Sequence, residues 1–354
     1  MRRILLLLCA SIAATTVYAL PPNQNVSKTF YWNFTHQAAL PPSWVNSRAA
    51  CTGSVTACVT NAQYNDAAGA AYTTYAATHS AFTSQGTGIF EGRTNYLFPS
   101  DTPVTTTTGS VPLGYYVLMC NGSGSVTSSA GTGVATGLGA LTCSSTYQTV
   151  QVTTAGTFIF TVSGTVNWFD FQGPCNYANS ACGPTTHIVT TIGTSSRPSD
   201  VVKIGAAQSA FMGLRNSSAV LEYYSTSSGS SNQIAVLGGP SGTFALFPID
   251  ASNSSHCTSG IQGILNGATS GSNQAILTLN RVAGTNYPTN YALSCNGAAS
   301  TNSSSASVPT AAVYYLGSIS NGNFCNCWVS QIKLFPFVLP TTLLQQYSSA
   351  GAAF

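Results

Sequence analysis

Three observations predict an all-β fold for this chain of 354 residues. Short segments rich in β-branched and aromatic residues recur along it, each bounded by Gly, Ser, Asn or Pro. Their close spacing suits β-sandwiches. A helical apolar pattern is confined to one short segment near the C-terminus.

The strand segments are Tyr115–Met119, Thr149–Thr153, Thr157–Val162, Thr165–Phe171, Gly242–Phe247, Gln274–Asn280 and Val313–Leu316. The helix is Pro340–Tyr347, where Thr341 is placed to cap and Leu343, Leu344 and Tyr347 share a face. Ala68–Ala77 is alanine-rich, yet its Gly, Tyr and Thr suit a loop with a brief strand as well as a helix. Composition divides the chain into a lead-in over 20–95, a small β-sandwich module over 96–173, a cysteine-stapled linker over 174–184 and a longer sandwich over 185–354. The run 126–139 carries Gly131, Gly133, Gly137 and Gly139, but no Lys-Ser/Thr pair or helix follows. It reads as turns rather than a phosphate-binding loop.

Residues 1–19 combine Arg2 and Arg3, the apolar run 4–10 and the small-residue close Val17-Tyr18-Ala19. That is the pattern of a secretory signal cleaved after Ala19; an uncleaved anchor is the competing reading. No later stretch reaches about 18 uninterrupted apolar residues, so the mature chain is expected to have no membrane span. Ten cysteines then remain: Cys51, Cys58, Cys120, Cys143, Cys175, Cys182, Cys257, Cys295, Cys325 and Cys327. An even number in an oxidising compartment points to disulfides. Proximity along the chain favours Cys51–Cys58, Cys120–Cys143, Cys175–Cys182 and Cys257–Cys295. Cys325 and Cys327 would share a strand face but close a small ring, so a mutual bridge and other partners both stay open. A structural zinc site would need thiolate pairs at CxxC-like spacing, and the sequence has no such quartet.

Only 5% of residues are charged, against a usual value of about 25%. Without Arg2 and Arg3, eight basic residues face seven acidic ones, a net charge of +1. This excludes a basic stripe for nucleic acid. A surface of Ser, Thr, Asn and Gly changes its charge little with pH, which predicts tolerance of harsh, acidic media.

The seven acids are Asp66, Glu91, Asp101, Asp170, Asp200, Glu222 and Asp250. A glycosidase needs two carboxylates about 5–10 Å apart across the scissile bond, and no sequence cluster supplies them. No Gly-x-Ser-x-Gly elbow stands out from the serine-rich turns. His36, His79, His187 and His256 are scattered. Arg93 is expected to pair with Glu91 or a carbonyl and fix the junction between modules; Asp200 after Arg197 is expected to clamp the start of a strand. No cofactor is expected. Calcium stays open at Asp250 with Asn253, because hard cations take carboxylate and carbonyl oxygens.

The segments 30–34, 39–44, 47–49, 66–69 and Gly88–Leu97, the last reading Gly-Ile-Phe-Glu-Gly-Arg-Thr-Asn-Tyr-Leu, resemble the opening of phage and prophage tail-associated proteins. Residues 156–166 resemble the small β module that follows in those proteins. Residues 197–202 and 317–344 are similar to the close of concanavalin A-like, laminin-G-like jelly rolls. The resemblance implies a small β-sandwich followed by a concanavalin A-like jelly roll with a glycan-contacting face. The signal peptide, the ten cysteines and the low charge depart from that family.

Sugar rings stack their C–H faces on aromatic side chains while amides and hydroxyls bond their oxygens. The candidates are Tyr223 and Tyr224 beside Glu222 and Arg215, and Tyr287 and Tyr291 around Asn286 and Asn290. Adjacent strand residues face opposite ways, so one of Tyr223 and Tyr224 at most meets a ligand. Core or edge-strand packing is the competing reading for each. Trp32, Trp44, Trp168 and Trp328 are expected in the core. The expected function is a secreted, non-catalytic binding module, extracellular, periplasmic or on the cell surface, for a glycan or cell-surface polysaccharide. A structural or adhesive surface component and a glycan-cleaving hydrolase or lyase are the alternatives.

Overall fold

The computed structural model describes residues 30–34, 37, 40–46, 52–53, 58–60, 73–75, 81–83, 86–143, 147–175, 182–185, 187–207, 216–225, 237–238, 245–247, 256–259, 263–266, 271–281, 288–295, 301–303, 314–318 and 325–348. The chain is all-β apart from short helical segments, and among the described strands every pairing is antiparallel.

Side-chain alternation builds the first sandwich. In the strand Gly114–Gly122, Tyr116, Leu118 and Cys120 turn to one face. There they pack with Phe169 and Phe171 of Val166–Gly173 and with Val150 and Val152 of Gln148–Thr154. Facing them across the core are Val126, Leu141, Phe158 and Phe160 of a second, four-stranded sheet. Phe171 is fully buried between Tyr116, at 4.8 Å between ring centroids, and Phe160, at 5.1 Å. Most of the run 126–139 is strand, Ser125–Ala130 and Val134–Thr136, and the expected turn is confined to Gly131–Gly133 between them and to the residues around Gly137 and Gly139.

The second sandwich pairs an eight-stranded sheet with a seven-stranded one. Its longest strands are Asn216–Ser225, Gly271–Arg281, Pro288–Cys295 and Cys327–Phe335. Cys327–Phe335 lies inside the sheet, with Asn216–Ser225 on one side. On its other side two short strands lie end to end, Phe30–Asn33 and Gly86–Ile89. Gly86 has φ +113°, and a Cβ there would sit 2.0 Å from the Val329 carbonyl oxygen, so only glycine fits this approach. The helix Thr341–Tyr347 packs Leu343 and Leu344 against Val220, Phe335 and Phe337. The expected Thr341 cap is corrected: Pro340 holds the N-cap position with no side-chain cap bond, because Thr341 already lies within the first turn.

The 20–95 segment is woven into both sandwiches. Phe30–Asn33 and Ala81–Thr83 extend the eight-stranded sheet, and Val45–Asn46 edges its seven-stranded partner. Thr52–Gly53 and Arg93–Asn95 join the seven-stranded sheet of the first sandwich, as does Ser195–Arg197. Thr73–Tyr75 forms a brief strand within 68–77. Trp44, Trp168 and Trp328 are buried as expected, whereas Trp32 is half-buried.

Among the described residues three bridges are formed: Cys120–Cys143, Cys175–Cys182 and Cys325–Cys327, the last closing the small ring that the sequence left open. Cys51 and the side chains of Cys58, Cys257 and Cys295 lie outside the described residues. No helix among the described residues is long and apolar enough to cross a membrane.

Truncating Phe171 would leave a cavity at the centre of the first core. Phe171→Ala is expected to lower stability by about 3–5 kcal/mol, read by denaturant unfolding.

Candidate functional site

Among the described residues, two clusters gather His187 with Asp101 and Asp170, and Arg93 and Arg197 with Glu91 and Asp200. Asp170 sits on the strand Val166–Gly173 with Trp168 and Gln172, on the face away from Phe169 and Phe171. The chain after the Cys175–Cys182 bridge roofs that face, with Cys182 packed on Val117, Met119 and Trp168. It carries His187 to within 4.8 Å of the Trp168 ring centroid. His187 Nδ1 lies 2.8 Å from Asp170 Oδ1, and Nε2 lies 2.6 Å from Asp101 Oδ1. Each ring nitrogen thus faces a carboxyl oxygen, the arrangement that holds a histidine as an imidazolium. Asp170 also accepts from Asn95 Nδ2, from Gln172 Nε2 at 2.8 Å and from the Ile188 amide at 3.2 Å.

Burial alone would push the His187 pKa down. The charge of Asp170, the hydrogen bonds to Asp101 and Asp170, and the charge of Asp101 outweigh it and bring the value up to about 9. Burial pushes the Asp170 carboxyl up, partly offset by His187. A general base must present a lone pair to substrate. Fully buried and donating from both nitrogens, His187 acts instead as a clamp between the roof and the sheet.

The second cluster lies where the strand Arg93–Asn95 leaves the C-terminal sandwich for the first one. Arg93 pairs with Glu91 through its Nε at 2.7 Å and its Nη2, as expected from the sequence. Arg197 Nη1 donates to Asp200 Oδ2 at 2.9 Å and Nη2 to the Glu91 carbonyl at 2.9 Å. Asp200 further accepts from Asn46 Nδ2 at 3.0 Å and from the Phe90 amide at 3.1 Å. It thus clamps the approach to the strand Val202–Lys203. The Arg197 guanidinium stacks 5.1 Å from the Phe90 ring centroid. Asn326, between the bridged cysteines at φ +43°, accepts from the Glu91 amide at 2.9 Å.

Of the tyrosines proposed to meet a ligand, Tyr223 is a correction. It is only 1% exposed, because strand alternation turns it into the sandwich with Leu221. Tyr224 and Tyr291 are described as strand positions, opposite Trp328 and Leu279 respectively. Arg215, Tyr287, Asp250 and Asn253 lie outside the described residues. Among the described residues no group of three or more His, Cys, Asp or Glu is placed to hold a metal ion.

A polar row on the outer face of the eight-stranded sheet was missed. Tyr31 stands opposite Lys333, and Asn33 opposite Gln331, which in turn faces Glu222. Tyr31 is 46% exposed. Its hydroxyl donates to Gln331 Oε1 at 3.1 Å and accepts from Asn33 Nδ2 at 3.3 Å. Gln331 Nε2 donates to Glu222 Oε2. The Lys333 ammonium lies 5.0 Å from the Tyr31 ring centroid, its pKa lowered by partial burial. The signal was present in the alternation of Phe30, Trp32 and Phe34 with Tyr31 and Asn33, and of Ile332 and Leu334 with Gln331 and Lys333.

Two outcomes follow from the buried clusters. His187 holds its proton more tightly folded than unfolded, so its stabilisation is complete below about pH 6.5 and is lost as pH rises through about 9. The raised Asp170 acts in the same direction. Thermal melts should fall over that alkaline window, and His187→Gln should flatten the fall. Asp200→Ala strands the buried Arg197 charge and is expected to cost about 3–5 kcal/mol in denaturant unfolding.

Neither a protein-family model nor a curated protein matches the chain. Among solved structures it is similar to a Trypanosoma rangeli sialidase in complex with 2,3-difluorosialic acid (covalent intermediate), with 13% identity and a TM-score of 0.31. That match covers 41% of this chain and 25% of the sialidase chain.

Proposed function

We propose that this protein is a secreted, non-catalytic carbohydrate-binding module that engages a glycan or cell-surface polysaccharide through its C-terminal sandwich. One observation carries the reading: the acidic side chains are spent on structure. Glu91, Asp101, Asp170, Asp200 and Glu222, five of the seven acids in the chain, each hold a basic or amide partner. Asp101 and Asp170 grip the two nitrogens of the His187 ring, where a glycosidase would need the gap between its carboxylates open to a sugar. On the outer face of the eight-stranded sheet Tyr31, Asn33 and Gln331 present a ring, a hydroxyl and amides, the groups that suit a neutral polyol.

Export is part of the proposal. The basic, apolar and small-residue sequence of residues 1–19 supports it, and so do the three disulfides. Kinship with phage tail-associated proteins and a concanavalin A-like jelly roll for the second sandwich belong to the same reading. Arg215, Tyr224, Tyr287 and Tyr291 remain its candidate contacts on that module.

The purified mature protein on a glycan array, with a parallel assay for new reducing ends, tests the function. Binding without release of reducing ends is the expected result. Silence across the array would point to the structural or adhesive alternative, and new reducing ends to a hydrolase.

A further inference from the structure

We infer that the row formed by the N-terminal strand and the last long strand is a binding site for a neutral pyranose, with Tyr31 as its stacking platform. The inference rests on the carbohydrate-binding reading above and names where that binding occurs.

Tyr31 differs from the other exposed large apolar side chains. Among the described residues those are Val45, Val104, Leu113, Val134, Ile159 and Ile192, all aliphatic and none ring-shaped. The Tyr31 ring is also fixed. Asn33 and Gln331 hold its hydroxyl from two strands, and Lys333 lies against the ring. A side chain ordered before the ligand arrives loses less conformational freedom on binding, so more of the stacking energy appears as affinity. An amide has two donor hydrogens and two acceptor lone pairs. Gln331 gives one hydrogen to Glu222 and one lone pair to Tyr31, which aligns the amide beside the ring.

Charge selects the ligand class. The row holds one ammonium, Lys333, and one carboxylate, Glu222, on adjacent strands. A polyanion would meet Glu222 and a polycation would meet Lys333, whereas an uncharged polyol meets neither penalty. The site also has a defined extent. Towards the C-terminus the same face is closed by Phe335, Phe337 and the helix Thr341–Tyr347. Across the sheet the register carries the row from Glu222 to Gln274. Three strand-to-strand steps from the Tyr31 strand to the Gln274 strand span about 14 Å. The platform therefore exists only when residues 30–33 are docked on residues 331–334.

The full mature chain is titrated with laminarin and galactomannan as neutral probes and polygalacturonate as the anionic one. The neutral probes should bind, and Tyr31→Ala should weaken them about tenfold. Tyr31→Phe, which keeps the ring and loses its hydrogen bonds, should weaken them about threefold. Near-UV circular dichroism checks that each variant is folded. Should Tyr31→Ala not fold, Tyr31→Phe and Gln331→Ala read the same site, and unchanged binding in both overturns the inference. Neutral probes held equally well by folded Tyr31→Ala overturn it while the carbohydrate reading stands. Preference for polygalacturonate overturns the ligand class, and a wild-type chain that holds no glycan on probes or array overturns both.

Discussion

Buried charge at the crossing between the two sandwiches is the constraint on which the rest of the architecture depends. Glu91, Arg93, Arg197 and Asp200 are all at most 3% exposed. Taking such groups out of water costs several kcal/mol each, and well-packed apolar residues would often do as well for stability alone. What the ion pairs add is registry. A charge that is satisfied only when Glu91, Asn326, Asn46 and Asp200 all meet leaves little freedom in how Arg93–Asn95 passes from one sandwich to the next. The same economy recurs at His187, where two carboxylates fix the roof over the first sandwich.

A chain with so few charges has buried three of its seven acids, Glu91, Asp170 and Asp200. Its surface is consequently built from side chains that neither titrate nor repel one another. Lys333 and Glu222 sit on an outer sheet face beside an exposed tyrosine, where their opposite signs offset one another. Neutrality is thus local as well as global.

Much of the first sandwich was legible because period-two alternation is a local signal. Tyr115–Met119, Thr149–Thr153, Thr157–Val162 and Thr165–Phe171 each fall on an observed strand, shifted by a residue or two at the ends. The Glu91–Arg93 pair was legible too, since in a chain so poor in charge an acid and a base two residues apart are each other's nearest partners. The Tyr31 row was not, because its partners are 300 residues apart and nothing local says which strand will lie alongside. Tyr223 failed for a related reason: composition shows that Tyr223 and Tyr224 are adjacent, but the register with Val329 decides which one is buried. The short 174–184 staple was readable from its cysteines, whereas its role in carrying a histidine over Asp170 was not.

The position of Cys327–Phe335 in the interior of its sheet bears on how the chain becomes native. Strands as far apart in sequence as Phe30–Asn33 and Asn216–Ser225 pair through it, so the sheet stays incomplete until residues 327–335 have been synthesised. A long loop must close before those pairings give any return, which makes assembly slow and keeps the nascent chain open. The strand that joins the early and late segments of the sheet is thus made long after the first of its neighbours.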